Sequence, residues 1–178
     1  MTRLACTVST YLFGMIMWVT AVAELASAAP CPIAQSVYRD AEGKGFELVF
    51  GEPLPNSVTS ATATITYPQA GEVYSFTVGQ SQGYGTIYMG LIEDEPFFTV
   101  NFFDQNLISA NPLWLGEETQ APKYIFMTGL GSYDYYFRRH EIYSYELSPV
   151  APLLGEIMWV YHRCQADEYQ EQDSFDQS

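Results

Sequence analysis

The chain has 178 residues, 48% of them hydrophobic and only 16% charged, a composition that builds one globular domain and excludes a disordered chain. Seven Lys+Arg stand against 21 Asp+Glu, for a formal charge of −14. That balance excludes nucleic-acid binding, which needs cationic patches against phosphate, and an anionic membrane surface would repel most of the protein.

Residues 1–28 read as a secretory signal peptide. The free amine and Arg3 supply a short positive region, an apolar stretch runs from Leu4 to Ala23, and Ala26-Ser27-Ala28 is a small-residue cleavage pattern. The apolar stretch is also long enough to span a bilayer, so an uncleaved anchor is the competing reading. Cleavage removes Cys6 and leaves Cys31 and Cys164. Two cysteines in an exported chain pair most simply as one disulfide, with two free thiols as the alternative. The location expected is periplasmic or secreted.

Ten apolar-rich runs follow. Ile33–Arg39 is the first, although Pro32 also suits the start of a short helix. Phe46–Phe50 comes next. Val58–Tyr67 is the clearest strand, with Ala61, Ala63, Ile65 and Tyr67 on one side and Thr62, Thr64 and Thr66 on the other. Val73–Gly79 alternates with Tyr74, Phe76 and Val78 inward, and Thr86–Ile92 follows a glycine-containing turn. Phe97–Phe103 is apolar on both sides and is expected to be covered twice.

Residues 104–122 break this rhythm. They hold two prolines and the apolar knot Leu113-Trp114-Leu115. A structureless segment of that length either closes a core or carries function. Lys123–Thr128, Tyr133–Arg139, Glu141–Leu147 and Glu156–Cys164 restore the strand pattern. In the last, Met158, Val160, His162 and Cys164 share one side and Ile157, Trp159, Tyr161 and Arg163 the other. Residues 165–178 carry five acids and no base, the composition of a disordered tail.

The expected fold is therefore all-β: a single antiparallel barrel or sandwich of about nine or ten strands over residues 29–164, following the signal helix. A Cys31–Cys164 bond would set the first segment beside the last strand, which suits a sheet that closes on itself.

Catalytic chemistry is sparse. The only histidines are His140 and His162, too few for a converging metal site. No G-x-S-x-G stands in the chain, and the acidic runs Glu93-Asp94-Glu95 and Glu117-Glu118 read as solvated turns. Gly83-Tyr84-Gly85 and Gly129-Leu130-Gly131 read as hairpin turns rather than phosphate cradles. No cofactor or metal is expected.

Residues 133–145 are different. They hold five tyrosines, two arginines and a histidine, the residue types that dominate binding hot spots. As a strand, this run would put Tyr133, Tyr135 and Phe137 on one face and Asp134, Tyr136 and Arg138 on the other. The candidate ligand-binding residues are Trp114, Tyr133, Tyr135, Tyr136, Arg138, Arg139 and His140, with the ligand held at a barrel mouth or on the Tyr/Arg-rich strands, near the 104–122 loop. The expected function is that of a monomeric, non-enzymatic binding protein for a small molecule. The alternatives are an acidic inhibitor of a cationic protein partner and, behind it, a hydrolase.

Overall fold

The computed structural model describes residues 31–83, 85–92, 96–112, 115, 119–143 and 151–165, with the backbone alone for 140–143. The expected signal segment, the acidic tail from 166, Trp114, the acidic runs at 93–95 and 117–118, and residues 144–147 lie outside that description. Among the described residues no helix is long and apolar enough to cross a membrane.

Eight strands form one closed barrel: β1 (Ser36–Asp40), β2 (Glu47–Gly51), β3 (Ala61–Tyr67), β4 (Gly71–Gln80), β5 (Ile87–Leu91), β6 (Phe97–Phe103), β7 (Tyr124–Thr128) and β8 (Met158–Cys164). Each pairs antiparallel with its neighbours in sequence, and β1 closes on β8. Of the two architectures open to the sequence, the chain takes the barrel. Closure pairs every edge and leaves no exposed ladder.

The alternation written into β3 and β4 is realised. Ala61, Ala63 and Ile65 point inward, as do Tyr74, Phe76 and Val78. Eight strands enclose a space that side chains can fill. Here they fill it with bulk: Trp159, Tyr38, Phe50, Phe76, Phe102 and Met89 are all fully buried. Each such side chain contributes about 1.5–3 kcal/mol of transfer free energy. The Tyr38 hydroxyl donates to the Pro122 carbonyl at 2.8 Å, and burial pushes that phenol far above its usual range.

Three expectations about strands need correction. Phe97–Phe103 is not covered on both faces: Phe98, Val100 and Phe102 point inward while Phe97 is 66% exposed. The Phe97 ring lies across Gly90 of β5, where a Cβ would approach it to 2.6 Å, so a missing side chain on β5 makes the seat for an aromatic on β6. In β8, His162 is skipped in the ladder to β1: Val37 pairs with Arg163 and Tyr38 with Tyr161. This bulge reverses the alternation, so Trp159 and Cys164 are both buried and His162 is exposed.

The third correction is the largest. Residues Leu130–Tyr143 form an α-helix, α1, where two strands around a turn at His140 were expected. Strand count falls to eight for that reason, and Gly129-Leu130-Gly131 opens a helix rather than closing a hairpin. Asp134 and Arg138, four apart, form a buried ion pair, and Tyr133 and Phe137, also four apart, stack at 5.4 Å. Tertiary packing overrides the strand preference of this aromatic run.

The antiparallel meander sorts the connections between two ends of the barrel. At one end lie the β1–β2, β3–β4 and β5–β6 turns, α1 and residues 151–157. At the other lie the disulfide and the described residues of the 104–122 connection.

At the disulfide end, a 3-10 turn, Ile33–Gln35, precedes β1. Ile33 N–H donates to Thr119 O at 2.9 Å and Ala121 N–H to Cys31 O at 2.8 Å. Gln80 holds the same segment from β4, donating to Pro112 O at 3.0 Å and accepting from Leu115 N–H at 2.9 Å. Leu115 is buried in the core. The described part of the long connection therefore closes this end of the barrel.

At the α1 end, the Asp40 carboxylate accepts from the backbone N–H groups of Lys44, Gly45 and Phe46 and fixes the β1–β2 turn. Lys44 Nζ then reaches Leu154 O at 2.6 Å, tying that turn to the chain that follows α1. Gly131, in the first turn of α1, sits against the backbone of Gly155, and a Cβ there would overlap the Gly155 carbonyl. Gly131→Ala is accordingly expected to destabilise the fold by about 1–3 kcal/mol, despite alanine's better helix propensity. Urea unfolding checks this; an unchanged or raised midpoint would show that α1 does not need that close approach.

Candidate functional site

The helix α1 presents three different surfaces, and the candidate residues divide among them. Its inward stripe is Leu130, Asp134 and Arg138. Asp134 is completely buried and Arg138 is 6% exposed. Asp134 Oδ1 accepts from the Tyr74 hydroxyl at 2.7 Å and from Arg138 Nε at 2.5 Å, while Oδ2 accepts from Leu154 N–H at 2.7 Å. Arg138 also donates to Ala151 O at 3.1 Å and Pro152 O at 2.8 Å.

The electrostatics of this network follow from its burial. Desolvation, then the bonded and charged Asp134, push the Tyr74 hydroxyl well above its usual range, so it stays a neutral donor. Desolvation works against the Arg138 charge, but the hydrogen bond and charge of Asp134 outweigh it and hold the guanidinium protonated. Arg138 is thus a structural cation rather than the exposed ligand contact expected from sequence.

The outward surface carries Tyr135, Tyr136 and Arg139. Both rings are exposed, and the Arg139 guanidinium lies 6.0 Å from one ring centre and 5.5 Å from the other. These three pack on one another, and none of them lines the groove on the third surface. Of His140 only the helical backbone is described, and Trp114 lies outside the description.

The third surface makes a groove. Tyr133 and Phe137 form one wall, with rings stacked within 13° of parallel. Glu72, Val73, Tyr74 and Ser75 of β4 and Leu91 and Ile92 form the rest, around a volume of about 390 Å³. A bulge opens this wall. Val73 is skipped in the ladder between β3 and β4, where Thr66 pairs with Glu72 and Ile65 with Tyr74. Bulges re-aim side chains at sites of this kind, and here Val73 and Tyr74, adjacent in sequence, both face the groove. Tyr133 is seated on the barrel by Phe98 at 5.5 Å and Tyr74 at 6.1 Å. Phe137 and Ile92, at the lips, are 55% and 48% exposed.

Of the lining residues, the candidates named from sequence include Tyr133 and leave out Glu72, Val73, Tyr74, Ser75, Leu91, Ile92 and Phe137. It also expected one site combining the Tyr/Arg run with the 104–122 loop. The structure puts α1 and the described part of that loop at opposite ends of the barrel.

The groove's chemistry is that of a binding surface. Among the described residues, its lining contains no histidine, lysine or cysteine. One hydroxyl–carboxylate contact is present, Ser75 Oγ donating to Glu72 Oε1 at 2.6 Å. No group of three or more His, Cys, Asp or Glu side chains suited to a metal ion occurs among the described residues. The chain's cations are largely committed elsewhere: Arg39 and Arg163 to Glu47, Lys44 to Glu42, Arg138 to Asp134. Burial raises the Glu47 carboxyl, but hydrogen bonds and charge from Arg163 and Arg39 together outweigh it, and it titrates below its usual range. Compared with known proteins, the chain matches no protein-family model, no curated protein and no solved structure.

Proposed function

We propose that this is an exported, non-enzymatic binding protein that takes its ligand in the groove between α1 and β4, outside the barrel. The observation that carries this reading is the contrast between the two spaces. The barrel interior is packed with large side chains, whereas the groove is open and lined by both apolar and polar groups, with Phe137 and Ile92 exposed. Its volume lies within the range of small-molecule sites. Export is supported by the N-terminal sequence pattern and by the Cys31–Cys164 bond, which suits an oxidising compartment.

Native and denaturing mass spectrometry of protein recovered from its own host test both parts. The denaturing mass is expected to correspond to a chain beginning at Ala29; a mass that retains Met1 would put an anchored protein in its place. The native mass is expected to carry a reproducible excess that is lost on denaturation. Ser75→Trp, which fills the groove, should abolish that excess. Cargo retained by this variant, or no cargo at all in the parent protein, would refute the groove as a small-molecule site.

A further inference from the structure

Building on that reading, we infer that the groove selects an organic cation: an ammonium group carried on a compact apolar body. Three features of the lining give this selectivity. The first is aromatic. Tyr133 and Phe137 stack with ring centres 5.4 Å apart and Tyr74 lies beside Tyr133, so a ligand entering past the exposed Phe137 meets aromatic rings whose faces attract positive charge.

The second is the placement of one carboxylate. Glu72 lines the groove, and its Oε1 accepts from Ser75 Oγ, a neighbour in the same lining. That hydrogen bond holds the carboxylate over the groove and leaves Oε2 for an ammonium donor. A charge-assisted bond of this kind is about twice as strong as a neutral one.

The third is the fate of the nearest positive charge. Arg138 lies behind the wall, 5.8 Å from the Tyr74 ring centre, so the rings left for a ligand are Tyr133 and Phe137; its guanidinium is committed to Asp134 and to the carbonyls of Ala151 and Pro152. Its field is largely cancelled there. Arg139 lies over Tyr135 and Tyr136 on the outward surface. Among the described residues, the lining holds a single formal charge, and it is negative. The −14 of the whole chain adds a long-range attraction of the same sign. A carboxylate ligand would face Glu72, and no described lining residue offers it a cation.

The occupant we assign is a free small amine rather than a lysine side chain of a protein, because the cavity is of small-molecule size. Calorimetric titration with 2-phenylethylamine, 2-phenylethanol and 3-phenylpropanoate tests the assignment, since the three share a ring and a two-carbon stem and differ in charge. Methyl NMR shifts of Val73 and Ile92 report whether binding occurs in the groove. The amine is expected to bind roughly tenfold tighter than the alcohol, and the carboxylate not measurably. Glu72→Gln should remove that tenfold preference and leave the alcohol unchanged, while Phe137→Ala should weaken both.

Equal binding of amine and alcohol in the groove would overturn the cation selectivity and leave the groove reading standing. Groove binding of the carboxylate in preference to the amine would do the same. Failure of all three to shift Val73 or Ile92, with a lysine-rich peptide shifting them instead, would overturn both and identify a cationic protein as the occupant. Failure of every probe would also overturn the assignment.

Discussion

Asp134→Ala is expected to lower the stability of the fold by about 3–5 kcal/mol, the range for removing one partner of a buried ion pair. The magnitude follows from what the carboxylate holds. Asp134 has no solvent exposure and receives the Tyr74 hydroxyl, Arg138 Nε and Leu154 N–H. Alanine leaves a buried guanidinium without a counter-charge and two further donors without an acceptor. Orphaned buried polar groups cost about 1–3 kcal/mol each, and partial relaxation keeps the sum below simple addition. Arg138→Met removes the charge that needs compensating. Combined with Asp134→Asn, which retains an acceptor, it should recover much of the loss. Urea unfolding of Asp134→Asn, Arg138→Met and their double variant gives a coupling energy, expected at about 1–3 kcal/mol. A loss below about 1 kcal/mol for Asp134→Ala would show that the pair does not hold α1 in place.

The same network sets the groove. Tyr133 and Phe137 belong to the helix that Asp134 docks, and Tyr74 belongs to both the network and the lining. Undocking α1 would therefore separate the two walls. The Asp134 and Arg138 variants are structural probes, whereas Glu72 and Phe137 at the open side read ligand contact without touching the dock.

Which features the sequence displays depends on how local they are. Period-two alternation in residues 61–67 and 74–78 is local, and those strands have the faces it implies. The pairing of Cys31 with Cys164 follows from there being no other cysteine after residue 28. The helix is different. Tyr133-Asp-Tyr-Tyr-Phe-Arg-Arg is rich in strand-favouring aromatics, and its helical signal is carried by the four-residue spacings Asp134/Arg138 and Tyr133/Phe137. Those spacings were available and were outweighed by composition. The bulges at Val73 and His162 are not local at all. Each exists only as a mismatch with the register of a partner strand, so the groove wall at Val73–Tyr74 and the inward turn of Cys164 could not be read from their own segments.

Removing the disulfide is expected to cost about 5 kcal/mol, at the top of the observed range, because the loop it closes is nearly the whole barrel. The two cysteines are 133 residues apart in sequence. In the chain-entropy account, the cross-link restricts the unfolded chain and does little to the folded one. The native contacts agree. Ser36 already pairs with Cys164 across β1 and β8, and Cys31 is held by the Ala121 N–H, so the ladder brings the ends together without the bond. Cys31→Ser with Cys164→Ser should therefore still fold, with a much lower guanidinium midpoint. Its denaturant dependence should also be steeper, since an uncrosslinked unfolded chain exposes more surface. A lower midpoint with an unchanged slope would place the effect in the native state, at the contacts of residues 31–35. An unchanged midpoint would mean that the β1–β8 closure and the Ile33–Thr119 and Ala121–Cys31 hydrogen bonds hold the barrel shut without the bond. For a domain whose total stability is of the usual order, about 5–15 kcal/mol, the predicted loss is a third or more of the whole. At the low end of that range a reducing compartment would leave a sizeable unfolded fraction, which ties the stability of this barrel to the oxidising environment proposed for it.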